Sequence, residues 1–100
     1  MRYGVSDVIW KQILNACSHF PDVNHVILYG SRARGDERPG SDIDLAMDAP
    51  DMSDQAFALL WNALDDLPII FPMDVVHIQA LENQKLLQAI RDEGITLRTN

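Results

Sequence analysis

Apolar residues in this chain change their spacing from segment to segment, and the changes mark out its elements. After Ser6, the residues Ile9, Ile13, Ala16, Cys17 and Phe20 recur at helical spacing. That predicts a helix over about residues 7–19, with Ser6 as its N-cap and Pro21-Asp22 as its end. Residues 25–29 (HVILY) form a short apolar run closed by Gly30, as expected of a buried strand. Residues 31–35 fit a short helical turn, and residues 37–41, with Pro39-Gly40, fit a loop. Residues 42–48 alternate strictly: Ile43, Leu45 and Met47 on one face, Asp42, Asp44, Ala46 and Asp48 on the other. That is the period of a half-buried strand. Ser53 caps a second long helix over about residues 54–67, with Phe57, Leu60, Trp61 and Leu64 as its stripe. Pro68 and Pro72 bracket an extended link, and residues 73–78 read as a third strand. Residues 82–93 predict a last helix with Leu86, Leu87 and Ile90 facing inward and Gly94 at C′. Ile95-Thr96-Leu97 is either a short edge strand or a docked tail.

Helical and strand segments thus take turns, and a sheet covered by helices, of α/β or α+β class, is the natural way to bury both. With 100 residues and 47% hydrophobic content, the chain is expected to form one domain spanning residues 1–100. An enzyme this small has to borrow the surface for its second substrate from another chain, so a homodimer or a hetero-oligomer is expected. No apolar run approaches the ~20 residues of a membrane helix, and no signal-peptide core is present. The single cysteine, Cys17, rules out an internal disulfide. A cytoplasmic location is the expectation.

Charge sharpens the picture. Eight Lys plus Arg stand against fifteen Asp plus Glu, for a net charge of −7. A general nucleic-acid binder needs a basic footprint, which this composition lacks. Arg32, Arg34 and Arg38 nevertheless fall together, immediately before Asp42, Asp44 and Asp48. Asp42 and Asp44 are two apart on a strand, so both side chains leave the same face. Adjacent carboxylates repel unless a cation lies between them or one is protonated. Mg²⁺ takes carboxylates, water and phosphate oxygens, and the pair has the character of half a two-metal site. Asp74 opens the third predicted strand; if that strand lies beside residues 42–48, its carboxylate completes the set. On the basic side, Gly30 admits a ligand to the backbone, and a helix start with the Ser31 hydroxyl suits phosphate. Arg32 and Arg34 add positive charge there. A nucleoside triphosphate with Mg²⁺ fits between the two halves.

Gly30-Ser31, ten intervening residues, then Asp42-Ile43-Asp44 resembles the signature of the DNA polymerase beta-like nucleotidyltransferase superfamily. The wider stretch, Gly30 to Gly35 and Ser41 to Leu45, is similar to its minimal nucleotidyltransferase branch, which includes the MntA-type antitoxins paired with HEPN-domain proteins. The resemblance implies a small mixed sheet flanked by helices. It implies transfer of a nucleoside monophosphate from an NTP to a hydroxyl, with two Mg²⁺ ions and release of pyrophosphate. Gly30 and Ser31 would hold the triphosphate; Asp42, Asp44 and Asp74 would bind the metals. In the antitoxin members the implied donor is ATP and the implied acceptor a tyrosine of the HEPN toxin. Two rival readings remain: a module that neutralises its partner by occlusion, and an enzyme acting on a small molecule or an RNA end.

Other residues draw plainer expectations. Asp36, Glu37, Asp48, Asp51 and Asp54 are expected in solvent, and Cys17 in the core. Tyr29 is either core or pocket wall. His19, His25 and His77 have no metal-ligand spacing, and parity puts His77 opposite Asp74. Trp61 is expected in the core, Trp10 at an interface.

Overall fold

Three side chains start the three long helices. Ser6 Oγ accepts from Ile9 N at 3.4 Å, Ser53 Oγ from Ala56 N at 3.1 Å, and Asn83 Oδ1 from Leu86 N at 3.1 Å. Each bond satisfies a backbone donor that the helix start would otherwise leave unpaired. In this computed structural model, which describes residues 1–99, the elements are α1 (Asp7–Ser18), β1 (His25–Tyr29), α2 (Ser31–Arg34), β2 (Ile43–Asp48), α3 (Asp54–Asp65), β3 (Met73–His77), a 3₁₀ turn (Ile78–Ala80), α4 (Gln84–Glu93) and β4 (Ile95–Thr99). Because Asn83 is the cap, α4 starts two residues later than its apolar pattern suggests.

The strands form one sheet in the order β3-β2-β1-β4. β1 runs antiparallel to β2 and β4, while β2 and β3 are parallel. The class is α+β with a mixed sheet, and the chain's last element is an edge strand rather than a docked tail. On one face, α1 and α3 bury Trp10, Ile13, Cys17, Leu60 and Leu64 against Val26, Leu28, Ile43, Leu45, Met47 and Val75. On the other, α4 brings Ile90 against Tyr29 and Ala46, with Ile27, Val76 and Leu86 at the margin. The side of β2 that carries its polar residues is therefore covered at Ala46, which is fully buried.

Four expectations change. Trp10 is a core residue at 1% exposure; its Nε1–H donates to Arg2 O at 2.9 Å and its ring meets Tyr3 edge-on. Trp61 is 41% exposed, because it sits on the flank of α3 rather than in the middle of its stripe. Asp48 is not left to solvent: it accepts from Gln79 Nε2 at 2.6 Å and lies 3.7 Å from His25 Nε2. Gly94 has φ −62 and ψ 137, so it needs no left-handed backbone. Its small size matters instead, since a Cβ there would strike Ile90 O and approach Ile27 Cγ2 to 2.7 Å.

Candidate active site

The sheet's register builds the site. Asp44 pairs with Asp74 across the parallel β2–β3 ladder and with Tyr29 across the antiparallel β2–β1 ladder. Residues directly opposite in a ladder share a face, so Tyr29, Asp44 and Asp74 form one row at one end of the sheet. Alternation puts Ile43, Leu45 and Val75 into the core behind them, which fixes the strands from beneath. The N–H of Ile43 donates to Pro72 O at 2.8 Å, continuing the ladder next to Asp42. Asp42 precedes β2 and is exposed; Asp44 is half-buried.

Gly30 closes β1 at the same end. Its φ of 77 and ψ of −155 suit glycine. A Cβ on Gly30 would collide with Asp44 Oδ2, so the missing side chain is what admits the carboxylate. α2 starts at once. Its first backbone bond runs from Arg34 N to Gly30 O at 3.1 Å, leaving the N–H groups of Ser31, Arg32 and Ala33 without intrahelical partners. The sheet end therefore carries backbone donors and a hydroxyl on one strand and carboxylates on the next two.

Electrostatics reflect this crowding. Burial, then the charges of Asp74 and Asp42, push the Asp44 carboxyl up to about 6; Arg34 and Arg32 oppose the shift. The Tyr29 phenol is raised far above its ordinary value, first by burial and then by Asp74 and Asp44. Asp74 and Asp42 thus both act electrostatically on Asp44. Among the described residues, no three His, Cys, Asp or Glu side chains converge closely enough to grip one ion as they stand. The donor set is nonetheless all oxygen, rich in charge and incompletely neutralised by the chain, which is the chemistry that suits Mg²⁺.

The two arginines nearest the turn differ from each other. Arg34 is exposed and bridges Asp36 at 3.1 Å and Glu93 at 2.9 Å, which hold it fully charged. Arg32, expected to face phosphate, is 3% exposed, and its donors go to backbone carbonyls. Nη1 donates to Tyr3 O at 2.9 Å; Nε and Nη2 donate to Ser41 O at 3.3 and 2.8 Å. Its guanidinium carbon lies 4.8 Å from the centre of the Phe71 ring. Sequence spacing could not reveal this, because Tyr3, Ser41 and Phe71 come from distant segments. Tyr29, expected as core or pocket wall, is buried with Ala46 and Ile90, and only the register shows that it shares the carboxylates' row. His77 is buried on the core face, stacked on Phe57 with Nε2 2.8 Å from Ala49 O, away from the carboxylates.

A glycine turn and paired strand-borne aspartates at the end of a mixed sheet define a nucleotidyltransferase. The match to the family model described as polymerase beta nucleotidyltransferase spans residues 11–100, and the chain belongs to that family. Several solved structures share the fold. One is a toxin–antitoxin crystal structure with AMP-PNP: 25% identity, TM-score 0.67, covering 90% of this chain and 73% of that one. Another is the MntA–HepT toxin–antitoxin pair: 21% identity, TM-score 0.69, covering 95% of this chain and 74% of that one. A third, from Shewanella oneidensis, is a tri-AMPylated HEPN toxin in complex with MNT antitoxin: 21% identity, TM-score 0.67, covering 93% and 71%. A search of curated proteins finds no match. Among the described residues, no helix is long and apolar enough to cross a membrane.

Proposed function

We propose that this chain transfers AMP from ATP to a tyrosine hydroxyl of a HEPN-domain RNase toxin and acts as its antitoxin. The observation that carries the reading is the direct pairing of Asp44 with Asp74 beside Gly30, whose lack of a Cβ makes room for Asp44. The AMP-PNP-bound neighbour supports a nucleotide donor, and the AMPylated neighbour supports a protein acceptor.

In this reading Gly30, the free N–H groups of α2 and the Ser31 hydroxyl receive the triphosphate. Arg34, at the exposed rim, adds positive charge. Asp42, Asp44 and Asp74 would hold two Mg²⁺ ions, which supply charge neutralisation at the phosphates when bound. The acceptor oxygen forms a bond to the α-phosphorus as the bond to the pyrophosphate oxygen breaks in line. Asp74, at the edge of the row, takes the hydroxyl proton. Most of the rate then comes from alignment rather than from covalent help by the chain. The net charge of −7 suits a protein acceptor better than RNA.

The test incubates the chain with a cognate HEPN-domain protein, α-labelled ATP and Mg²⁺. Label is expected on the HEPN protein with the wild-type chain and none with the Asp42→Asn/Asp44→Asn double variant. Stoichiometric inhibition of the RNase without label would replace the enzyme by an occluding module. Label retained on tRNA or on a small-molecule hydroxyl would change the acceptor class.

A further inference from the structure

The buried Arg32 cation makes no direct ion pair among the described residues; all its hydrogen bonds go to backbone carbonyls, and Asp44 acts on it only from a distance. Burying a charge without an opposite charge is costly, and hydrogen bonds and a ring face offset only part of that cost. Filling the space would need only an apolar side chain. What a guanidinium adds is its fork: rigid, planar donors that reach several acceptors at once.

The acceptors identify the purpose. Arg32 is the second residue of α2, next to Ser31. Ser41 O precedes Asp42 directly. Phe71 is joined through Pro72 to Met73 and Asp74, and Pro72 O is tied to Ile43 N at 2.8 Å. Tyr3 O lies in a small N-terminal hook closed by the mutual Arg2–Val5 backbone bonds at 2.9 Å. One cation therefore touches the segments that carry Ser31, Asp42 and Asp74. The hook is fitted to it as well: a Cβ on Gly4 would come within 2.7 Å of Nη1, so a side chain there would press on the fork.

We infer that Arg32 is a positioning residue that fixes the phosphate turn and the two carboxylate-bearing segments relative to one another, and does not itself touch nucleotide. Its kinetic consequence rests on the nucleotidyltransferase reading above; its structural consequence does not. Without the fork, the loop over residues 36–41 and the link over residues 69–72 lose their common anchor. The core formed by α1 and α3 meets the hook at Trp10, whose Nε1–H donates to Arg2 O, but supplies none of the fork's acceptors.

Arg32→Lys keeps the charge and loses the fork, so it is the informative substitution. Amide hydrogen exchange is expected to accelerate by about tenfold or more in residues 2–5, 36–42 and 69–74, with α1 and α3 unchanged. In the transfer assay kcat should fall about tenfold or more while the KM for ATP stays within about threefold. Arg91→Lys, on the exposed face of α4, serves as control and should change neither. Phe71→Leu removes the ring but keeps the hydrogen bonds, and should reproduce the exchange pattern in weaker form even if Arg32→Lys does not fold. Uniform exchange across the chain in both variants, or no local change in either, overturns the inference. A raised KM for ATP with unchanged kcat also overturns it, since that marks direct phosphate contact. If the wild-type chain transfers nothing, the proposed function falls, while the exchange pattern still decides the role of Arg32.

Discussion

Asp44 is the residue on which the site's demands meet. Its carboxyl is pushed up from 3.8 to about 6, mainly by burial and then by Asp74 and Asp42. An acid whose folded pKa is raised holds its proton more tightly in the fold than in the unfolded chain. Its charged form therefore weakens the fold above about pH 6. The penalty is relieved as pH falls from about 6 toward 3.8. Asp44→Asn should accordingly be more stable than wild type at pH 7.5 in EDTA, by about 1 kcal/mol once partial exposure is discounted. Thermal melts should show that gap roughly halved at pH 5. The same proton competes with a metal, so the Mg²⁺ concentration needed for half-maximal transfer should rise as pH falls below about 6, measured by Mg²⁺ titration in a pH series. Gly30 makes the complementary demand. Gly30→Ala brings a Cβ against Asp44 and strains a positive φ. It should cost about 1–3 kcal/mol in urea denaturation and abolish transfer.

At the scale of elements, α4 is the piece that turns a one-sided sheet into a two-sided one. Ile90 reaches Tyr29 and Ala46, and Glu93 at its end holds Arg34 beside the Gly30 turn. Ile90→Ala should destabilise the chain by about 2–4 kcal/mol, read from the urea midpoint. Gly94→Ala should cost about 1–3 kcal/mol through overpacking against β1, although no left-handed backbone is lost. The boundaries of most elements were legible because each rests on a local signal: Ser6 and Ser53 cap their helices, and strict alternation identifies β2. The ambiguity at residues 95–97 had a physical source. A short apolar run at a sheet edge reads alike as strand or tail until its partner β1 is known.

The whole molecule behaves as a scaffold that holds mutually repelling carboxylates side by side, and a ligand that neutralises them should tighten it. Mg²⁺ with AMP-PNP is expected to raise the melting temperature of the wild-type chain by several degrees and that of the Asp42→Asn/Asp44→Asn variant little. Differential scanning fluorimetry with each component alone and together checks this. Distance along the chain separates what could be read from what could not. Residue type and local spacing determined the helices, the first three strands and the placing of Asp42 and Asp44 on one face, because these depend on neighbours a few positions apart. They also supplied Gly30 and Ser31 as a turn, and Asp74 as the head of a strand. Only the tertiary structure decided that Asp74 stands in register with Asp44, that Trp10 is buried while Trp61 is exposed, and that Arg32 serves backbone carbonyls. Each of those depends on which remote segments meet, and a strand's period does not name its partner.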